Sequence, residues 1–274
     1  MTFILPERST PGGHFIAQAQ SYGGSPGSLY AYPIDLSQEG GKAWNGQDSQ
    51  LWSFSLRQTE AVSAYLQSLL TPEEAARASR YKTPEARRQF YTGRGALRLI
   101  LSLYTGIEPE NLVLLTGPRG KPYLAPSAYP ASSVQSLFFN LSHSSGQAIL
   151  GVSPTGEVGV DLEAIHLLPE MDTLARQYFS PGERALLDTQ AGRDKDETFF
   201  TIWTMKEALL KAWGTGLAYP VNTLTIRRVP HSPLITVIAE STPSQDSFLE
   251  ASYWSPILQP PPNFCAAMVV IQYR

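Results

Sequence analysis

Two stretches of this chain carry the same run of signals in the same order, about 109 residues apart. In the first, the strand candidate LWSFSL (Leu51 to Leu56) leads to a helix opening, TPEE, at Thr71. A long helix ending in LYTGI follows, and then NLVLLTGP. In the second, the strand candidate VGVDLEAI leads to SPGE at Ser180, a long helix ending in WGTGL, and NTLTIRRVP. Leu51 and Val160 lie 109 positions apart, as do Pro72 and Pro181, while Gly106 and Gly216 lie 110 apart. Each opening places a hydroxyl cap, then proline at the first helical position, then an acid near the positive helix end. The Thr-Gly endings suit a glycine C-cap. Such signals are common singly, but three matched offsets in one order predict duplication. The expected fold is α+β, with two pseudo-symmetric halves. Each half is expected to be a small, mostly antiparallel sheet on a long helix, with the two halves facing one another.

Composition sets the boundaries. The first half is expected over residues 51–154 and the second over 155–274. Residues 1–50, rich in Gly, Ser, Gln and Pro from about Ser9, read as a loose N-terminal extension that adds little core. Softer segments fall at Leu124 to Ser136 and at LQPPPN, before the closing strand FCAAMVVI. A formal net charge of −3 argues against non-specific binding to nucleic acid or anionic membrane. Cys265 is the only cysteine, so no internal disulfide is possible. The sequence shows no secretory signal and no bilayer-length apolar run, and a cytoplasmic location is expected.

The stretch FFTIWTMKEALLKAWGTGL (Phe199 to Leu217) reads as one helix that is apolar almost all the way round. At about 100° per residue, Glu207 and Lys211 point the same way, close to Phe200, Trp203 and Thr204. Glu and Lys at i and i+4 usually form a surface pair. Here the neighbours are aromatic or aliphatic, so the carboxylate is desolvated and needs a cation. Lys206 points elsewhere, beside Ile202, Leu209 and Trp213, and is expected to snorkel from a packed face.

In VGVDLEAI, Val158, Val160 and Leu162 take one face of a strand, and Gly159, Asp161 and Glu163 the other. The two carboxylates start about 7 Å apart along the strand. At an effective dielectric of about 20 they repel by about 2 kcal/mol unless water or a cation intervenes. An isolated D-x-E reads as a solvent-facing edge. Joined by Glu207, these acids make an oxygen-only cluster that suits magnesium or manganese better than zinc.

GVDLE followed by WTMKEALLK resembles the signature of the 4′-phosphopantetheinyl transferases of the surfactin-synthetase-activator type. TPEEAARASRYKTPEARRQFYTGRGALRLIL resembles the family's first helical block. GPRGKPYL resembles its glycine-lysine-proline loop, and FNLSHSSGQAILGV its Asn-x-Ser-His segment. The resemblance implies transfer of the phosphopantetheine arm of coenzyme A to a serine of an apo acyl, peptidyl or aryl carrier protein. The released product is adenosine 3′,5′-bisphosphate. Fatty-acid, polyketide and nonribosomal-peptide synthases and aminoadipate reductases all use such carriers.

By the same resemblance, the active site lies in the cleft between the two halves, where Asp161, Glu163 and Glu207 hold magnesium on the diphosphate. Lys211 lies near the reacting phosphate, and Glu207 is the candidate base. Lys121, Pro122, Ser142, His143, Arg94 and Arg88 are expected coenzyme A contacts, with Arg88 equally readable as a solvated helix arginine. Ser142 beside His143 does not make a hydrolase: no G-x-S-x-G elbow is present, and the nucleophilic serine belongs to the partner. Because the duplicated halves complete a cleft within one chain, a monomer is expected. The rival readings are a metal-dependent nuclease, which predicts a broad basic surface, and a carrier-protein or coenzyme A binding module without turnover.

Overall fold

The computed structural model describes residues 16–22, 29–35, 49–126, 137–228, 234–239, 252–254 and 260–272. Up to residue 153 the strands are β1 (Ile16–Tyr22), β2 (Leu29–Asp35), β3 (Ser49–Ser55), β4 (Leu114–Thr116), β5 (Pro122–Leu124), β6 (Phe138–Ser144) and β7 (Gln147–Ser153). The helices there are α1 (Glu60–Ser68), α2 (Pro72–Ala78) and α3 (Pro84–Thr105). Beyond them come β8 (Val158–Ala164), α4 (Met171–Tyr178), α5 (Pro181–Asp188), α6 (Gly192–Trp213), β9 (Leu224–Arg228), β10 (Leu234–Ala239), β11 (Ser252–Trp254) and β12 (Phe264–Gln272).

The strands form two antiparallel five-stranded sheets, ordered β2-β1-β3-β7-β6 and β8-β12-β11-β10-β9, and a β4-β5 hairpin. Strand alternation sorts each sheet's side chains into two cores. In the first sheet, Trp52, Phe54, Ala148, Leu150 and Val152 join Leu66, Leu97, Ile100 and Leu101 of α1 and α3. In the second, Ala267, Val269 and Ile271 join Ala208, Leu209 and Ala212 of α6. The intervening residues face the other sheet, where Leu51 and Ile149 meet Val158, Val160, Leu162, Met268 and Val270. The order of layers is therefore helices, sheet, sheet, helix. Gly151 lets the sheets close, because a Cβ there would come within 2.6 Å of a Val160 methyl.

Both long helices have 22 residues, and both end at a left-handed glycine. The cap of α3 is Gly106 (φ 69°), as read from the sequence. That of α6 is Gly214 (φ 67°) rather than Gly216, so the helix stops at Trp213 and a short 3-10 turn, Gly216–Ala218, follows. Thr71 and Ser180 both form complete capping boxes, with Glu74 and Glu183 at the third helical position.

The expectation of a loose extension over residues 1–50 fails where the structure describes them. β1 pairs with β2 from Ile16↔Asp35 to Tyr22↔Leu29, and with β3 from Ala17↔Phe54 to Tyr22↔Ser49. The strands were hidden because Ile16, Tyr22, Tyr30, Tyr32 and Ile34 are strand formers diluted by Ala, Gln, Ser and Pro, while Gly23, Gly24, Pro26 and Gly27 gather between the two segments.

Candidate active site

The acids of β8 meet α6 because β8 carries a glycine where the helix crosses. A Cβ on Gly159 would lie 2.0 Å from the Ala208 carbonyl oxygen and 2.3 Å from the Ala212 nitrogen. Without one, the helix backbone rests directly on the strand. Asp161 and Glu163, two and four residues on, share Gly159's face of the strand and so look toward α6. On α6, Glu207 and Lys211 stand one turn apart and meet them. Trp203, one turn earlier, is fixed by Phe199 (ring centroids 5.9 Å apart, stacked) and Tyr178 (5.4 Å, edge-on).

Strand β6 supplies the third wall. Its alternate residues Asn140, Ser142 and Ser144 reach across to β8, side chain by side chain. Asn140 Oδ1 accepts from the Val160 N–H (2.9 Å), and Ser142 Oγ donates to Asp161 Oδ1 (3.0 Å). Ser144 Oγ donates to Glu163 Oε2 (2.9 Å) and accepts from the Ala164 N–H (3.2 Å). A polar seam thus joins the edge strands of the two sheets and aims two of the acids. Leu141, Ser142, His143, Asp161, Glu163, Trp203, Glu207 and Lys211 enclose a cavity of about 390 Å³.

Its electrostatics are those of a site short of positive charge. Asp161 is buried, and its Oδ1 takes Lys211 Nζ at 2.6 Å, but its Oδ2 is buried with no hydrogen-bond partner among the described residues. Burial, and then the Asp161 charge, raise the carboxyl pKa values of both Glu163 and Glu207. His143 is shifted down, by burial first and then by Lys211. Among the described residues, no group of three or more His, Cys, Asp or Glu side chains is gathered into a formed metal centre. The donors nevertheless fit a hard cation: they are oxygens only, and Asp161 Oδ2 is an unused buried acceptor.

Asp161, Glu163, Glu207, Lys211, Ser142 and His143 are therefore brought together, and four other predicted contacts are not. Lys121 Nζ is bound to Glu157 (2.6 Å), the Val158 carbonyl (3.1 Å) and the Ala212 carbonyl (3.4 Å). With Pro122 it lines a separate cavity of about 700 Å³, floored by Leu124, Leu137 and Phe139. Arg94 is paired with Glu74 at 2.5 Å, and Arg88 is an exposed partner of Glu85 at 2.9 Å. Lys206 does not snorkel. Only 3% of its side chain is exposed, and it is paired with Glu183 at 2.8 Å. Gly159, Asn140 and Ser144 shape the site without having been singled out. The N-x-S-x-S alternation of FNLSHS was the signal for Asn140 and Ser144 in the sequence.

Two family models match this chain. One, described as the 4′-phosphopantetheinyl transferase superfamily, covers residues 157–267; the other, the N-terminal part of a 4′-phosphopantetheinyl transferase, covers residues 51–155. The 4′-phosphopantetheinyl transferase HetI of Nostoc sp. is 36% identical over 81% of this chain and 86% of its own length. The 4′-phosphopantetheinyl transferase AcpT of Escherichia coli is 36% identical over 50% of this chain and 64% of its own. The solved structure of holo-[acyl-carrier-protein] synthase from Thermotoga maritima aligns with a TM-score of 0.32 at 25% identity, covering 44% of this chain and 64% of that one.

Proposed function

The chain belongs to the 4′-phosphopantetheinyl transferase superfamily, and we propose that its acidic cavity moves the phosphopantetheine arm of coenzyme A onto a serine of an apo carrier protein. The observation that carries this reading is Asp161. It is a buried carboxylate with one oxygen on Lys211 and Ser142 and the other unpartnered, in a cavity shared with Glu163 and Glu207. A site so arranged has room for a cation and for the anion that the cation would bridge.

In the proposed reaction, the serine hydroxyl oxygen attacks the phosphorus bonded to the pantetheine arm. The bond from that phosphorus to the bridging oxygen breaks, and adenosine 3′,5′-bisphosphate leaves with the electron pair. Asp161, Glu163 and Glu207 would hold magnesium, which supplies charge neutralisation on the diphosphate. Lys211 adds a fixed positive charge where negative charge develops. Glu207, directly or through a bound water, is the acceptor for the serine proton. His143 and Ser142, on β6, bind the coenzyme A phosphates from the opposite wall.

Both sheets contribute to the cavity: β6 on one side, β8 with its covering helix α6 on the other. This supports two related halves with the site between them, complete within a single chain. Among the described residues, no helix is long and apolar enough to cross a membrane.

The test is the intact mass of an apo carrier protein after incubation with this chain, coenzyme A and magnesium, beside EDTA and Glu207→Ala controls. A gain of one phosphopantetheine arm, absent from both controls, is expected. No gain on any fatty-acid or peptide carrier, despite measurable coenzyme A binding, would replace the transferase with a binding module.

A further inference from the structure

Two buried ion pairs in this molecule are built alike. In the first, Arg98 of α3 donates to both oxygens of Glu74 (2.7 and 3.0 Å) and to the carbonyls of Pro109 (2.7 Å) and Leu112 (3.0 Å). In the second, Lys206 of α6 is paired with Glu183 (2.8 Å) and donates to the carbonyls of Val221 (2.9 Å) and Leu224 (2.7 Å). Each acid also closes the capping box of its own short helix, Glu74 accepting from the Thr71 N–H (3.0 Å) and Glu183 from the Ser180 N–H (2.9 Å). Each cation therefore ties a long helix to the start of a short helix and to a loop beyond.

Stability alone is a weak reason to keep such a pair, because well-packed apolar residues of similar volume often serve as well. The difference between the two lies in what stands beside them. Arg98 is surrounded by core. Lys206 directly precedes Glu207 and lies five residues before Lys211 on the helix that delivers both to the cavity. The contact of that helix with β8 runs over Gly159, Ala208 and Ala212, which is small and smooth. That close fit sets how near the helix lies to the strand, and directional bonds add to it in fixing rotation and axial register. The other polar ties of α6 to the rest of the molecule include Arg193 to Asn263, Lys195 to Asp172, Thr201 to Cys265, Lys211 to Ser142 and Asp161, the Ala212 carbonyl to Lys121, and Trp213 to Tyr253. Beside Glu207, Lys206 is a buried directional tie that lies outside the cavity, whereas the Lys211 contacts belong to the site it serves.

We propose that Lys206, locked by Glu183 and the Val221 and Leu224 carbonyls, is a positioning residue that fixes the register of α6 and so aims Glu207 and Lys211 at Asp161. This rests on the transferase reading for its kinetic consequence and on the cavity alone for its effect on ligand binding.

The test compares the double variant Lys206→Met with Glu183→Gln against Arg98→Met alone, which leaves Glu74 paired with Arg94, in urea unfolding, coenzyme A affinity and transfer rate. Both should lose stability. The Lys206 variant should also lose turnover by about 100-fold, the scale of a misplacement of about 1 Å. Its coenzyme A affinity should fall by about tenfold through the misdirected Lys211. The Arg98 variant should keep both constants within about twofold, the behaviour of distant and independent sites. Equal kinetic losses in the two variants, or none in the Lys206 variant, would overturn the proposal. Should the double variant not fold, Glu183→Gln alone keeps an amide oxygen for the Ser180 N–H and Lys206, weakening the ion pair at the cost of the Ile226 N–H contact. It must then show a smaller loss of the same kind, and Lys206→Arg must recover part of it. If the wild type transfers nothing, the transferase reading falls, and the coenzyme A affinities still decide the positioning role.

Discussion

Gly159 lies flat beneath Ala208: a single added carbon on the glycine would sit 2.0 Å from the alanine's carbonyl oxygen. That contact decides whether the acids of one element and the acid and lysine of another belong to the same cavity.

Gly159→Ala should therefore damage both fold and site. The clash is with helix backbone, which cannot rotate away, so the cost should reach about 3 kcal/mol or more, the upper end for overpacking. Gly93→Ala is the control. Its added carbon would meet a Leu56 methyl at an ordinary 3.5 Å, within a helix where alanine is preferred. That change should stabilise by about 0.5–1 kcal/mol. Urea midpoints of the two variants should move in opposite directions. A neutral Gly159→Ala would mean that α6 can lift from β8 freely.

The seam between the sheets can be tested at Asn140. Its Oδ1 is the acceptor for the Val160 N–H, on the side of β8 away from its ladder with β12. Asn140→Ala leaves that buried donor unsatisfied, and about 2 kcal/mol of stability should be lost. Chemical unfolding measures it. A loss below about 0.5 kcal/mol, the floor for a hydrogen bond, would show that water replaces the side chain.

Asp161→Asn separates catalysis from folding. The substitution removes the carboxylate that holds Lys211 Nζ at 2.6 Å, together with the unpartnered buried oxygen that repels Glu163 and Glu207. These effects on stability oppose one another, and the melting temperature should change little. Transfer should fall by about 100-fold or more, the scale seen when one electrostatic group leaves a preorganised site. A variant that unfolds, or one that retains full activity, would show that Asp161 is a structural ion-pair partner only.

Strand alternation and helix angle placed Asp161 and Glu163 on one face and Glu207 with Lys211 on another, because those periodicities follow from backbone geometry. What made the faces meet was harder to read. Gly159 acts by the absence of a side chain, and a sequence does not show which backbone will come near. Lys206 was misread because helical spacing gives its direction but not the Glu183 waiting there. The capping-box motif explained Glu74 and Glu183 as local helix starters, and so concealed their long-range ties to Arg98 and Lys206. Arg88, Arg94 and Lys121 carried charge of the right sign, but they are paired with Glu85, Glu74 and Glu157.

The crowding of carboxylates also predicts how pH and a cation act together. Burial and the Asp161 charge hold the Glu163 and Glu207 carboxyls above the ordinary carboxylate value. Between that value and their raised ones, the folded chain binds more protons than the unfolded chain. Stability from these two groups is thus fully present at low pH, falls as pH rises through the window, and stays lower above it. A Glu163→Gln, Glu207→Gln double variant removes the effect, so in EDTA its melting temperature should gain on the wild type as pH rises above the ordinary carboxylate value. Magnesium should reverse the order. If the acids bind it, the wild type gains about 2.7 kcal/mol when free cation is about 100 times its dissociation constant, and the variant gains little. Thermal melts of both proteins across pH, with EDTA and with magnesium, supply the comparison. Should the gap between them ignore both pH and cation, the three acids would not share a site for magnesium, and the charge on the diphosphate would have to be met by Lys211 and its neighbours alone.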